Sequence, residues 1–416
     1  MSIKKRGIGT GGLALLCVVI LAGAAMLEMW KDREPDKNPG YGNTAKSLVT
    51  TFKGDPKTSR AFTWYSQNAE SQGFLQLATG TDVRELEKSD ALTFEAASSA
   101  IMPEEGRQET VHRVEATGLS PGTAYIYRVG DGTEQGWSQP AIFTTEGTDE
   151  TKFTFLNVTD SQGEMEEDFT LWGKTLDKAF ETFPDAKWII HNGDLTEEPE
   201  DEEAWDYFFG KAAPWLPRIP LMPVTGNHDE VKGQSDRFAS HFNLPENGAE
   251  RSAAGTTYSF NYGNAHIVVL NTESNIKGQT EWLRQDLQNS DKIWKIVAIH
   301  RPAYGGNRYE KISDWVSVFD ESGVDLVLQG HNHEYSRSFP LKNEEIVEQG
   351  EGTVYVVTNA SGSKFNDKKK DKFYHAVHFQ NGKQMFAGIA INGNTLTYQA
   401  YDVDGNKLDE FVLQKH

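Results

Sequence analysis

The sequence predicts an α/β fold preceded by a small all-β sandwich. Two patterns and a coincidence point there. From about residue 47, short alternating strands are punctuated by turn residues. From about 151, apolar runs alternate with segments of helical spacing. Five of those later runs end directly in a polar cluster rich in Asp, Asn and His.

The first element is an address rather than part of the fold. Lys4-Lys5-Arg6 precedes an apolar stretch from about Gly11 to Leu27, a positive region followed by a hydrophobic one. Ala22-Gly23-Ala24 offers a small-residue cleavage site, while the stretch is also close to membrane-spanning length. Residues 1–30 are therefore expected to be a signal peptide or a membrane anchor. The basic flank stays in the cytoplasm and the rest is exported, secreted or held at the outer face of the membrane. Cys17, the single cysteine, lies inside this stretch, so the exported part has no thiol for disulfides or thiolate metal ligands. Residues 31–46, rich in charge, Pro and Gly, read as a linker.

Residues 47–147 form the expected β-sandwich. Ala61–Tyr65, Thr110–Val114, Tyr125–Val129 and Ala141–Thr145 alternate in the manner of half-buried strands between Gly, Pro and Asp turns. Residues 151–416 form the expected α/β part. Its apolar runs are Phe153–Val158, Trp188–Ile190, Leu221–Val224, Ile296–Ile299 and Leu326–Leu328. Phe169–Phe183 and Thr280–Gln288 have helical spacing, and the chain ends in the β-like segments Thr353–Val357, Met385–Ile391, Thr395–Tyr401 and Phe411–Leu413. Lys364–Lys372 reads as a charged loop with a solvated lysine tip.

The five clusters are Asp160-Ser161-Gln162, Gly193-Asp194, Gly226-Asn227-His228-Asp229, His300 and Gly330-His331-Asn332-His333. In an open α/β sheet the carboxyl ends of the strands hold the ligand site. Their oxygen and nitrogen donors suit a pair of borderline divalent or trivalent metals. Any single Gly-Asp or Gly-Asn is by default a turn; an ordered set of five is not. The formal charge of −20 disfavours non-specific nucleic-acid binding, and no specific nucleic acid is expected as a partner. It leaves phosphate substrates open, because bound metals would supply local positive charge.

Two resemblances follow from these residues. Leu119-Ser120-Pro121-Gly122-Thr123-Ala124-Tyr125-Ile126-Tyr127-Arg128 resembles a late strand of a fibronectin type III-like domain, in the version that precedes the catalytic domain of purple acid phosphatases. There Leu119 and the tyrosine pair would pack the core opposite Trp64. The order D…GD…GNHD…H…GHxH resembles the calcineurin-like metallophosphoesterases, and Gly330–Arg337 is similar to the GHxHxYxR of purple acid phosphatases. This likeness implies a four-layer αββα sandwich and two metal ions, drawn from Fe, Mn, Zn and Mg. It implies that Asp160 and His333 bind the first metal, Asp194 bridges, and Asn227, His300 and His331 bind the second. It further implies attack on phosphorus by a metal-held hydroxide, with His228 facing the substrate. Asp229 is expected to orient His228, as carboxylates commonly orient imidazoles.

The chain departs from the family pattern twice. Asp-x-His is here Asp160-Ser161-Gln162, so Gln162 is at best a weak, neutral metal ligand. The metal-binding tyrosine expected three residues after the bridging aspartate is Glu197, read as a solvated member of the acidic run Glu197–Glu203. Arg301, Tyr304, Tyr335 and Arg337 are candidate substrate contacts. The histidines outside the motifs, His112, His241, His266, His375 and His378, read as packing or surface residues, and an ordinary role is favoured for His191. The expected activity is hydrolysis of small-molecule phosphate monoesters, with a phosphodiesterase or nucleotidase as the second enzyme reading. A surface binding protein with a decayed metal site is the third. The membrane is a partner if the N-terminal segment is uncleaved.

Overall fold

A computed structural model describes residues 45–67, 71–101 and 108–415. The N-terminal apolar stretch, Cys17 and nearly all of the expected linker lie outside them. Among the described residues no helix is long and apolar enough to cross a membrane.

Among the described residues, eight strands build the N-terminal sandwich: β1 (Lys46–Thr51), β2 (Ser59–Ser66), β3 (Phe74–Thr79), β4 (Leu92–Glu95), β5 (Ala97–Ile101), β6 (Glu109–Thr117), β7 (Ala124–Gly130) and β8 (Ala141–Thr144). They form two antiparallel sheets, ordered β1-β2-β6-β5 and β4-β3-β7-β8. Alternation along β2, β3, β6 and β7 sends Phe62, Trp64, Leu75, Leu77, Val114, Tyr127 and Val129 into one core. Leu119 and Tyr125 join it, and Phe62 packs 4.7 Å from Tyr127 between ring centroids. Lys46, the last residue of the expected linker, instead opens β1. Its buried ammonium sits 2.7 Å from Glu109 and 2.9 Å from Asp206.

Beyond the sandwich come β9 (Lys152–Val158), α1 (Glu166–Thr182), β10 (Ile189–His191), α2 (Glu202–Ala212), β11 (Leu221–Pro223), α3 (Asp236–Ser240), β12 (Tyr258–Tyr262), β13 (Ala265–Val269), α4 (Ile276–Asn289) and β14 (Trp294–Ala298). They are followed by α5 (Ser313–Ser322), β15 (Leu326–Gln329), β16 (Tyr335–Ser338), the hairpin β17 (Leu341–Lys342) and β18 (Glu345–Ile346), and β19 (Val354–Val357). The chain closes with β20 (His375–Phe379), β21 (Met385–Asn392), β22 (Thr395–Asp402) and β23 (Lys407–Gln414). One mixed sheet runs β11-β10-β9-β21-β22-β23, and the other β12-β13-β14-β15-β19-β16-β20. In the first, β9, β10 and β11 are parallel; in the second, β13, β14, β15 and β19 are.

Strand periodicity decides the layering. Ile267, Ile296, Leu326 and Val354 face a core shared with Phe155, Trp188 and Ile389 of the first sheet. Their neighbours Val268, Val297, Val327 and Tyr355 face Leu283 and Leu287 of α4 and Trp315 and Phe319 of α5. On the first sheet's other side, α1 and α2 bring Phe169, Trp172 and Phe208, with Trp172 stacked 5.2 Å from Phe208. The result is helix, sheet, sheet, helix. Each such large apolar side chain contributes about 1.5–3 kcal/mol on burial.

The acidic run has internal work. Asp201 caps α2, accepting from the Glu203 and Ala204 N–H groups. Glu202 is half-buried, its carboxylate against Arg237 and His241.

Candidate metal centre

Parallel strands put their carboxyl ends side by side, and five loops from those ends meet. Asp160 follows β9, Asp194 follows β10, Asn227 follows β11, His300 follows β14 and His331 follows β15. A buried amide joins the two sheets here: Asn192 Nδ2 donates to Ile299 O at 3.0 Å and Leu328 O at 2.8 Å. Asn157 in turn donates to Asn192 Oδ1. Neither asparagine was singled out from sequence; the visible signal was only a polar residue directly before Gly193-Asp194.

The polypeptide is strained where the donors sit. Asp160, Asp194, His331 and His333 have φ of 50°, 55°, 72° and 51°, in the left-handed region that non-glycine residues seldom occupy. The glycines beside these donors serve two needs, a turn and space. Gly193 does take φ 92°, but Gly226 and Gly330 are needed for space. A Cβ on Gly226 would lie 2.3 Å from Asp194 Oδ1, and one on Gly330 would lie 2.2 Å from Thr159 Oγ1.

The six candidate ligands are brought together. Asp194, His300 and His331 place donor atoms within 4.8 Å of one another, as do Asp160, Asp194 and His333. Asp194 belongs to both groups. His300 Nε2 lies 3.1 Å from Asp194 Oδ2, 3.2 Å from Asn227 Oδ1 and 3.3 Å from His331 Nδ1. His333 Nε2 lies 3.2 Å from Asp160 Oδ1.

Hydrogen bonds on the far side of each ring show what these contacts mean. His300 Nδ1–H donates to Asn192 O at 2.7 Å, and His333 Nδ1–H donates to Lys364 O at 3.0 Å. Each ring therefore turns Nε2 towards oxygens that can only accept. Two lone pairs at about 3 Å repel unless positive charge lies between them, as a proton or as a cation. Where protons take that place, burial, which would lower His300, is overcome by Asp194 and Asp160, and its pKa rises to about 10. The same balance, burial opposed by Asp160, raises His333. Two Asp, three imidazoles and one amide oxygen fit two cations without excess negative charge.

His228 stands beside this set. Its N–H donates to Asp194 Oδ1 at 2.9 Å, and its Nδ1–H donates to the Glu197 carbonyl at 2.8 Å. The side chain is 30% exposed, so Nε2 is open to a substrate.

Several expectations are corrected by the contacts. Asp229 does not orient His228. Its Oδ2 accepts from Asp194 N at 2.7 Å and Gly226 N at 2.8 Å, and its Oδ1 from Leu195 N at 3.0 Å. Burial and then the Asp194 charge push its pKa up to about 7, against those three N–H donors. It braces the loops that carry Asp194 and Asn227. Glu197 is not solvated: its side chain is 17% exposed, bonded by Lys364 and by Gln162 Nε2 at 3.3 Å. Burial opposes its charge, but Lys364 and His228 hold it below the usual carboxylate range.

Of the four candidate substrate contacts, the structure puts Arg301 beside the ligands. Arg301 Nη1 lies 3.2 Å from His331 Nε2, and Arg301 Nε is clamped by Glu273 at 2.9 and 3.0 Å. Tyr304 is buried against Tyr355 and Tyr374. Tyr335 and Arg337 both bind Asp409 of β23, the tyrosine hydroxyl at 2.7 Å and the guanidinium at 2.6 and 3.0 Å. These three hold the fold. His191 is buried, its Nε2 bonded to Ser161 Oγ at 2.9 Å, and burial pushes its pKa down to about 3.

A third group, Asp371, His375 and His378, also gathers donors, but they are already engaged. His375 accepts from Lys372 N and donates to Gly305 O, while Asp371 is paired with Lys368 and His378.

A family model described as calcineurin-like phosphoesterase matches residues 153–335, and one described as purple acid phosphatase, N-terminal domain, matches residues 45–145. The acid phosphatase type 7 of Mus musculus is 26% identical over 367 residues, covering 77% of this chain and 78% of that protein. An uncharacterized protein of Mycobacterium tuberculosis is 24% identical over 419 residues, covering 87% of this chain and 76% of the relative. Among solved structures, a purple acid phosphatase from yellow lupin (Lupinus luteus) seeds superposes with a TM-score of 0.78 at 17% identity, covering 89% of this chain and 74% of that one. PhoD gives 0.65 at 14% identity, covering 91% and 94%. At these identities the two structures speak for the fold.

Proposed function

We propose, from the premise that the chain belongs to the calcineurin-like phosphoesterases and is a metal-dependent phosphoester hydrolase with a purple acid phosphatase N-terminal domain, that it hydrolyses small phosphate monoesters at a pair of cations outside the cytoplasm. One observation carries the two-cation part: the Asp194 carboxylate is common to both donor groups. Asp160 and His333 would complete one position, and Asn227, His300 and His331 the other. Two cations bound there would supply the charge that draws in phosphate and the means of ionising water near neutral pH.

The chain's own residues do the rest. Asp160 and Asp194 bring two negative charges to a site of otherwise neutral donors, so a loaded pair leaves net positive charge for a phosphate dianion. The tautomers of His300 and His333, fixed by Asn192 O and Lys364 O, keep their Nε2 lone pairs on the site without rearrangement. His228, with Nδ1 fixed on Glu197 O, presents Nε2 to the departing oxygen of the ester and can hold or deliver a proton there. Arg301 adds a cation at the rim. Convergence of all six donors, and of His228 with them, speaks against a decayed site.

Export rests on the sequence: Lys4-Lys5-Arg6 ahead of an apolar stretch, in residues outside those described. The kinship with acid phosphatases favours monoesters over diesters. Metal-stripped protein reloaded with Mn or Zn should cleave p-nitrophenyl phosphate faster than its bis-ester. Asp194→Asn and His331→Ala should abolish that activity. Turnover unaffected by both substitutions refutes the proposal, and a faster bis-ester rate replaces it with the diesterase reading.

A further inference from the structure

The two positions where this chain breaks the family pattern touch each other. Gln162 Nε2 donates to Glu197 Oε2 at 3.3 Å. A carboxylate only accepts, so the amide nitrogen must face Glu197 and the amide oxygen must point elsewhere. That oxygen is buried and has no hydrogen-bond partner, in a residue only 2% exposed. A buried acceptor left unsatisfied is destabilising, so its orientation needs a partner from outside the protein.

The surroundings identify the partner. Gln162 N donates to Asp194 O at 3.1 Å, Ser161 Oγ to Leu195 O at 2.9 Å and Glu197 N to Gly163 O at 3.3 Å. The loop that follows Asp160 is thus laced along the loop that follows Asp194. Lys364 closes the arrangement from a third segment. Its carbonyl accepts from His333 Nδ1, and its ammonium binds Glu197. One residue therefore fixes a candidate ligand ring with its main chain and the Glu197 carboxylate with its side chain. Glu197 in turn is spoken for: Lys364 and Gln162 share its Oε2, and its carbonyl holds His228.

We propose that Glu197 and Lys364 form a positioning pair that turns the Gln162 amide oxygen onto the cation carried by Asp160 and His333, completing that position with a neutral donor. The inference rests on the two-cation reading above. The two positions then differ in their donors: beside shared Asp194 this one has Asp160, His333 and the Gln162 amide oxygen, while the other has two imidazoles and the Asn227 oxygen, so this one is richer in oxygen and favours oxygen-seeking cations such as Mn.

Calorimetric titration of metal-stripped full-length protein with Mn(II), with circular dichroism to verify folding, tests it. Wild type should take up two equivalents of different affinity. Gln162→Met keeps the volume and loses the oxygen; it should weaken one equivalent by about 10–100-fold and leave the other unchanged. Glu197→Ala, which leaves Gln162 intact, should weaken the same equivalent. Gln162→His, which restores a neutral donor, should rescue it, a result that packing alone does not give. Two equivalents at wild-type affinity in both Gln162→Met and Glu197→Ala overturn the inference, as does equal weakening in the Met and His variants. Wild-type protein that binds a single equivalent overturns the two-cation reading instead.

Discussion

Gly226→Ala should cripple the site without replacing a donor. A methyl group at this position would lie 2.3 Å from Asp194 Oδ1 and 2.5 Å from Asp194 N, against the ~3.4 Å at which uncompressed carbon and oxygen meet. Both contacts belong to one residue, and that residue is held from behind by Asp229. The carboxylate must move by roughly 1 Å or the β11 loop must retreat. Overpacking of this kind costs about 1–3 kcal/mol of stability. A displacement of about 1 Å at a reacting site costs on the order of 10²-fold in rate. Because Asp194 is shared, both Mn(II) equivalents should weaken together. Steady-state hydrolysis of p-nitrophenyl phosphate at saturating Mn(II), alongside calorimetric titration, reads both effects. Gly210→Ala in α2 is the control: its Cβ would meet nothing within 4 Å, so it should stabilise the helix by about 0.5–1 kcal/mol and leave kcat unchanged. A Gly226→Ala protein with wild-type kcat and two intact equivalents would refute the placement of Asp194 at the shared position.

Asp229→Asn should lose about 2–4 kcal/mol of stability, because an amide nitrogen would face the Leu195 N–H or the Asp194 and Gly226 N–H groups. Denaturant unfolding checks it; unchanged stability with a displaced pH–rate profile would restore Asp229 as the partner of His228. Glu146 is buried, accepts from Gly263 N at 2.9 Å, and has its pKa pushed up to about 7, chiefly by burial. Its ionised form is penalised in the fold, so stability falls as pH rises from about 4.5 through 7. Glu146→Gln should remove that fall and gain roughly 1–3 kcal/mol at pH 8, with no gain at pH 4.5; equal effects at both pH values contradict this. In metal-free protein the raised pKa of His300 contributes stability that is complete below about pH 6.5 and lost as pH rises through about 10. Between those limits metal uptake must expel that proton, so affinity should rise up to about tenfold per pH unit, with proton release measured by calorimetry in buffers of different ionisation enthalpy. Uptake without proton release would contradict the pairing of His300 with Asp194.

The strands were legible because burial on both faces writes them as apolar runs: Phe153–Val158 and Leu326–Leu328 fall within β9 and β15 with little displacement. The donor clusters were legible because parallel strands bring their ends together whatever the sequence separation. What the sequence hides is direction. Asp229 follows His228 in the chain, yet its carboxylate turns back to three N–H groups. Glu197 looks like one of several acidic surface residues, but Asp201 caps a helix, Glu202 pairs with Arg237, and Glu197 faces Gln162 and Lys364. Arg337 and Tyr335 carry polar atoms that suit phosphate, and their partner, Asp409, lies on a strand far along the chain. Cross-sheet ties such as Asn192 to Ile299 and Leu328 depend on tertiary packing, which no local pattern encodes.

Asp194 shared between two cations is the feature on which the proposed chemistry depends. Anomalous diffraction from crystals loaded with Mn tests it most directly. Two peaks about 3.5–4 Å apart are expected on either side of the Asp194 carboxylate, one beside Asp160 and His333 and the other beside Asn227, His300 and His331. A single peak, or a peak at Asp371 and His378 with none at Asp194, would contradict it.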